Sequence, residues 1–272
     1  MPQRVDPEKL AVVLNRPQIP ENVGAAARAL ANMGLHRLIA VAPENWDINR
    51  AARMATGGGL EILKNIEIAD DLPSALAPFS FVAGTTARVG GVRKSFVTPQ
   101  ELARRLVAVT KENEAAVLFG SEDRGLENED VRQCHVLVNI PTAGFSSLNL
   151  AHAVLVISYE IFRAESVEEP RWAPRLANRH ELDGMYGQLK EVLTRIGFLD
   201  KANPDHWLDA LRRFFSRLPL TAKEVKVIRG VFRQMDWYTE RRFKKMGIKS
   251  DVPKGAGDGP EPVESLREEK AS

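Results

Sequence analysis

The chain has 272 residues and a single cysteine, Cys134. One thiol excludes an intrachain disulfide framework and a zinc site built on several cysteines. It points to a reducing, cytoplasmic setting. Cys134 precedes an apolar run, which places it at the edge of a core. Long apolar runs are missing too, and every stretch falls well short of the ~20 residues that a membrane helix needs. Residues 1–7 carry no apolar segment of the kind a secretory signal has. No membrane partner is therefore expected. No cluster of His, Cys, Asp and Glu has metal-ligand spacing, so no metal is expected either. Neither a G-x-G-x-x-G run nor a P-loop occurs, which leaves dinucleotide and nucleoside-triphosphate readings without support.

Hydrophobic residues make up 44% of the chain and charged residues 27%, a composition that packs into a globule. Net charge is only +2, but it is unevenly placed. Residues 1–170 have net charge −4, residues 171–249 have +9, and residues 250–272 have −3. A basic segment joined to a near-neutral one suits a polyanionic partner, although a solvated helical surface would look the same.

The first 165 residues alternate short apolar runs with helical patterns. Strands are expected at 10–14, 37–42, 79–84, 115–119 and 136–140, with a weak one near 62–68. Helices are expected at 22–33, around 50–55, near Leu72, at 99–110 and from about 147 to 163. Strands between helices imply βαβ units and a parallel sheet, so the fold class is α/β. In such sheets ligands lie beyond the C-terminal ends of the strands. Residues 165–179 lack periodicity and read as a linker after a domain at 1–164. Three helical patterns follow near 180–196, 205–217 and 221–245, which predicts a small all-α domain over 180–247. Asn203-Pro-Asp205 and the capping box Thr221-Ala-Lys-Glu224 mark two of the helix starts. Residues 248–272, rich in Gly, Pro and Glu, are expected to form a disordered tail.

Three segments at strand ends carry chemistry. In Pro20-Glu-Asn-Val-Gly-Ala-Ala-Ala-Arg28, Asn22 suits a helix N-cap. Arg28 leans over Gly24 and Ala25 toward the surface where a ligand would sit. In Leu118-Phe-Gly-Ser-Glu-Asp-Arg-Gly-Leu126, Gly120 and Gly125 permit close backbone approach, and Glu122 offers a carboxylate to a ribose or a cation. In Ile140-Pro-Thr-Ala-Gly-Phe-Ser-Ser-Leu-Asn149, Ser146 or Ser147 opens a helix that pulls Asn149 into partial burial. A buried Asn needs partners, so Asn149 would fasten the loop or a ligand.

In this order, the three segments resemble the three motifs of the SpoU/TrmH (SPOUT) superfamily of RNA 2'-O-methyltransferases, over residues 9–164. Met185-Tyr-Gly-Gln-Leu189, Ile196-Gly-Phe198, Leu211-Arg-Arg-Phe-Phe215 and Ile228-Arg-Gly-Val231 resemble the helical extension of its TrmJ-like branch. The resemblance implies a parallel-sheet methyltransferase domain with a trefoil knot, acting as a homodimer. It implies S-adenosyl-L-methionine as cofactor, held by Thr85, Thr86, Ala87, Gly120, Ile140, Ser146, Ser147 and Leu148. It implies Arg28 as the catalytic arginine, with Asn22, Glu122, Ser147 and Asn149 in support. The implied reaction is methylation of a ribose 2'-oxygen of tRNA, at position 32 of the anticodon loop, on cytidine or uridine. The basic helices then become an RNA surface, with Arg212, Arg213, Arg241 and Arg242 as contacts. Phe214, Phe215 and Phe243 beside them read equally as core residues of the small domain. Three other readings stay open: the same chemistry on rRNA, an RNA-binding protein without catalysis, and a doubly wound nucleotide-binding enzyme.

Overall fold

The structure is a computed structural model that describes residues 3–87, 96–144, 147–165, 174–199, 205–215 and 219–245. Ser146, Asn203, Pro204 and the expected tail at 248–272 lie outside the described residues. Among these, seven strands form one sheet: β1 (Leu10–Asn15), β2 (Arg37–Val41), β3 (Glu67–Ala69), β4 (Phe81–Thr85), β5 (Phe96–Val97), β6 (Ala115–Phe119) and β7 (Val136–Val138). Their order is β3-β2-β1-β6-β4-β7-β5, and each neighbouring pair is parallel. All the strands therefore end at the same edge, and the loops that follow them share one surface.

Central strands are apolar throughout because helices cover both faces of the sheet. Side chains alternate between two cores, as the period of two requires. Leu10, Val12 and Leu14 of β1 join one core with Val117 and Phe119 of β6. Ala11 and Val13 join the other with Ala116 and Leu118. Helices α1 (Pro20–Asn32), α5 (Pro99–Val109) and α7 (Leu150–Arg163) pack on the first side. Helix α4 (Leu72–Leu76) and α6 (Asn128–Gln133) cover the second, where Cys134 is fully buried rather than at an edge.

Three local expectations are corrected. Segment 62–68 does not form a strand throughout, because α3 (Gly58–Lys64) precedes a short β3. Ile62 and Leu63 turn inward on one helical face, and Gly57, at φ 63°, sets the entry. Asn22 is not the cap of α1: Pro20 occupies the first turn and Ile19 is the cap residue, without a side chain able to bond. Helix α7 begins at Leu150 and its cap is Asn149, whose Oδ1 accepts from Ala151 N and His152 N.

Small residues on α1 serve its own chain. At Gly24, where α2 (Ile48–Ala52) crosses, a Cβ would overlap the Ala51 carbonyl. At Gly59 a Cβ would press on the Arg28 backbone, so α3 also lies close against α1.

The C-terminal helices α8 (Arg179–Arg195), α9 (Asp205–Phe215) and α10 (Ala222–Lys245) close around Met185, Tyr186, Leu189, Leu208 and Val225. Phe215 packs against this core while Phe214 is 57% exposed. The side chain of Phe243 lies outside the described residues. The capping box at Thr221 and Glu224 is formed. Leu176 and Ala177, within the segment expected to be a linker, are buried, and Asn113 Oδ1 accepts from Leu176 N at 2.6 Å.

Candidate active site

Strand β1 ends in a tight turn at Arg16, which takes a left-handed φ of 53°. Its amide donates to Val41 O at 2.8 Å, and its guanidinium holds the buried Asp130 at 2.6 Å. Those bonds fix the loop leading into α1. The loop amides of Gln18 and Ile19 then donate to the Glu122 carboxylate at 2.8 and 3.3 Å. Glu122 comes from the loop after β6, so it supplies to the start of α1 the acceptor that Ile19 lacks.

Asn22, in the first turn of α1, donates from Nδ2 to Glu122 Oε1 at 2.9 Å. Its Oδ1 accepts from Asn149 Nδ2, also at 2.9 Å. Asn149 in turn caps α7. The polarity of this relay is fixed from both ends. An ionised carboxylate only accepts and backbone amides only donate, so each Asn amide has one permitted orientation. Asn149 is exposed, not partly buried as expected, yet each end of its amide is bonded. One chain of hydrogen bonds thus ties together the three segments singled out in the sequence.

Beside the relay lies a cavity of about 300 Å³ at the C-terminal edge of the sheet. Thr85, Thr86, Ala87, Gly120, Glu122, Ile140, Ser147 and Leu148 all line it. Ser146 falls outside the described residues. Gly120 has no room for a Cβ, which would overlap Gly125, and Gly125 itself needs a φ of 67°. The hairpin-like loop closes on Gly125 N, which donates to Ser121 O at 2.9 Å. Thr85 Oγ1 donates to Leu118 O at 3.1 Å, and Thr86 N donates to Val138 O at 2.9 Å, which fixes the wall after β4. The Ser121 hydroxyl bonded to Asp123 holds that carboxyl below the ordinary aspartate range.

Sequence reasoning missed Phe119, Asp123, Leu126, Val138 and Leu150 in the lining. Leu126 stands directly after the Gly125 turn, and Leu150 directly after Asn149, so the motif ends were the available signal. Arg16 and Asp130 gave none, because their pairing spans 114 positions.

Arg28 is not among the lining residues. It is exposed on α1, six residues beyond Asn22, which is about 9 Å along the axis and about 120° around it. Arg28, expected to lean toward the ligand surface, does not line the cavity of its own chain. Arg212, Arg241 and Arg242 stand over the rings of Tyr186, Trp237 and Tyr238 at 5.5, 5.1 and 5.8 Å. The side chain of Arg213 lies outside the described residues. Among the described residues no helix is long and apolar enough to cross a membrane, and no group of three His, Cys, Asp or Glu gathers as for a metal.

Residues 9–159 match the SpoU rRNA Methylase family, and residues 180–246 match the C-terminal domain of tRNA methyltransferase TrmJ. The chain belongs to the SpoU methylase family. It is 35% identical to the tRNA (cytidine/uridine/adenosine-2'-O-)-methyltransferase TrmJ of Pseudomonas aeruginosa, over 82% of this chain and 92% of that one. It is 33% identical to the tRNA (cytidine/uridine-2'-O-)-methyltransferase TrmJ of Escherichia coli K12, over 84% of this chain and 96% of that one. The crystal structure of TrmJ from Z. mobilis ZM4 superposes with a TM-score of 0.72 at 31% identity, over 83% of this chain and 98% of that one. The SpoU match encloses every residue that lines the cavity and the three segments that the relay joins.

Proposed function

We propose that this protein is an S-adenosyl-L-methionine-dependent tRNA 2'-O-ribose methyltransferase. Its substrate is the ribose at position 32 of the anticodon loop, on cytidine or uridine, and it acts in the cytoplasm as a homodimer with a knotted C-terminal half of the SpoU domain. The observation that carries the reading is the cavity lined by the second and third motif loops and tied to the first by the Glu122–Asn22–Asn149 relay.

The cavity fits the cofactor. Its volume lies at the small end of ligand pockets, its walls are partly apolar, and the Cβ-free backbone at Gly120 admits a ring close to the main chain. Glu122 and Asp123 at its wall suit a cation such as a sulfonium. Bound there, the cofactor supplies a methyl group that is already activated for transfer. The chain's own task is then alignment of the ribose oxygen, and proximity provides much of the acceleration. A guanidinium stays protonated, so Arg28 is no general base. It stabilises the developing alkoxide and grips the neighbouring phosphate, while the proton of the 2'-hydroxyl passes to solvent water.

Two features support a dimer with shared sites. Leu155, Val156, Tyr159 and Phe162 leave an exposed apolar stripe along α7, the helix that starts at the relay. Arg28 is exposed and does not line its own cavity, so a second subunit can receive it. For the knot, β7 supports the reading by pairing between β4 and β5, which precede it in the chain. Ribose-methylation mapping of cellular RNA with and without the protein tests the function. Loss of 2'-O-methyl at position 32 of tRNA is expected. Loss confined to rRNA would overturn the substrate.

A further inference from the structure

Helix α10 has 24 residues and two unlike faces. One packs inward: Val225 is buried, Ile228 and Phe232 join the C-terminal core, and Asp236 holds the buried Arg195 of α8. The other is left open by the described residues. Val227 is 62% exposed, Val231 53%, Trp237 41% and Tyr238 56%. Val227, Val231 and Tyr238 follow the i, i+4, i+11 spacing of a single stripe. Aromatic rings left in water at this density call for an occupant.

Their neighbours identify it. Arg241 stands over Trp237 and Arg242 over Tyr238, each one turn along. A guanidinium covers one face of a ring, and Trp237 and Tyr238 keep 41% and 56% of their surface exposed beside it. Each pair therefore offers a flat apolar surface beside a phosphate ligand. The segment 171–249, with 18 basic and 9 acidic residues, surrounds these pairs with positive potential. A protein partner would use the apolar stripe but would not need the cations. A second copy of α10 would bring like charges together at its C-terminal end. An RNA duplex keeps its base faces stacked and closed to the rings.

We propose that the outer face of α10 is a stacking platform for unpaired bases of the substrate RNA. Trp237 and Tyr238 receive bases, and Arg241 and Arg242 bind the adjoining phosphates. The inference rests on the RNA-methyltransferase reading and assigns one surface of it. Stacking is sequence-tolerant, so the platform holds the RNA without selecting the base that is modified.

Salt separates the two contributions, because phosphate contacts release counterions and ring stacking does not. The full chain is titrated with an unpaired pyrimidine RNA of about a dozen nucleotides and with a duplex of equal length, across a salt series. The double variant W237A/Y238A should bind the unpaired RNA roughly tenfold or more weakly, with an unchanged salt slope and unchanged duplex binding. R241A/R242A should flatten the slope by about 1.4 for single strands. Trp237→Phe should keep the affinity while removing the part of the emission quenching that unpaired RNA causes. The stacking platform is overturned if W237A/Y238A binds unpaired RNA like the wild type, loses both RNAs equally, or changes the oligomeric state. If R241A/R242A flattens the slope while W237A/Y238A does nothing, stacking alone fails. If neither variant moves anything, the C-terminal helices are not an RNA surface and that wider reading fails.

Discussion

Asn22 donates to Glu122 across 100 positions of sequence and joins the start of α1 to the loop after β6. Its other amide atom holds Asn149, so a single side chain sets the distance between two walls of the site. Asn22→Ala should cut methyl transfer on the order of 10²-fold through misplacement. Asn22→Asp should be no better, since a second carboxylate then faces Glu122. Single-turnover methylation of tRNA together with cofactor calorimetry would check this. A variant with wild-type turnover removes the relay from the mechanism.

Tight backbone crossings make a second prediction. Gly24→Ala forces a methyl into the Ala51 carbonyl and should destabilise the fold by about 1–3 kcal/mol. For a chain of this size that lowers Tm by roughly 2–4 °C per kcal/mol. Gly120→Ala should instead open the loop at Gly125 and weaken cofactor binding. Thermal melts with and without adenosylhomocysteine separate the two effects.

The motif loops were legible because each closes an apolar strand, and Thr85, Gly120, Ile140 and Leu148 do meet in one cavity. The bonds between loops were not legible, because Asn22 and Asn149 are 127 positions apart and either could have served as a plain helix cap. The weak strand expected near 62–68 extends too far toward the N-terminus, since Ile62, Ile66 and Ile68 carry a strand-like propensity, whereas packing of Gly59 on α1 favours helix through Lys64. Pro20 did mark the true start of α1, and Asn22 outweighed it in the reading only through its capping preference.

Three helices start with reciprocal capping boxes whose glutamates sit below the ordinary range. The Thr98 amide bonded to Glu101 and the Thr221 amide bonded to Glu224 lower those carboxyls. For Glu181, partial burial raises the value, and bonds from Arg175 and Asn178 outweigh it. A depressed folded-state pKa contributes stability that is complete above the unfolded value, ~4.3 for Glu, and is lost as pH falls through the folded value. Acid unfolding should therefore steepen below about pH 4.3. The triple change of Glu101, Glu181 and Glu224 to Gln should flatten that limb and leave the melt at pH 9 still lower than wild type. Equal pH dependence in both proteins would remove these boxes from the acid limb.

Arg28 gives the last prediction. It is exposed on α1 and does not line the cavity of its own chain, while α7 presents an apolar stripe suited to a second subunit. The shared-site arrangement places Arg28 of one subunit at the cofactor loops of the other. Arg28→Ala should then cost roughly 2.7–4 kcal/mol of transition-state stabilisation and leave adenosylhomocysteine binding unchanged. Complementation tests the geometry itself. Arg28→Ala and Asn149→Ala chains, each inactive alone, are co-expressed with different tags and the mixed dimer is purified. With shared sites, one site of that dimer carries both lesions and the other carries none, so about half of the wild-type activity returns. If Arg28 serves its own subunit, every site carries one lesion and the mixed dimer stays as inactive as its parents. That outcome would refute the shared site, and with it the explanation for an arginine that stands about 9 Å along the helix from the relay.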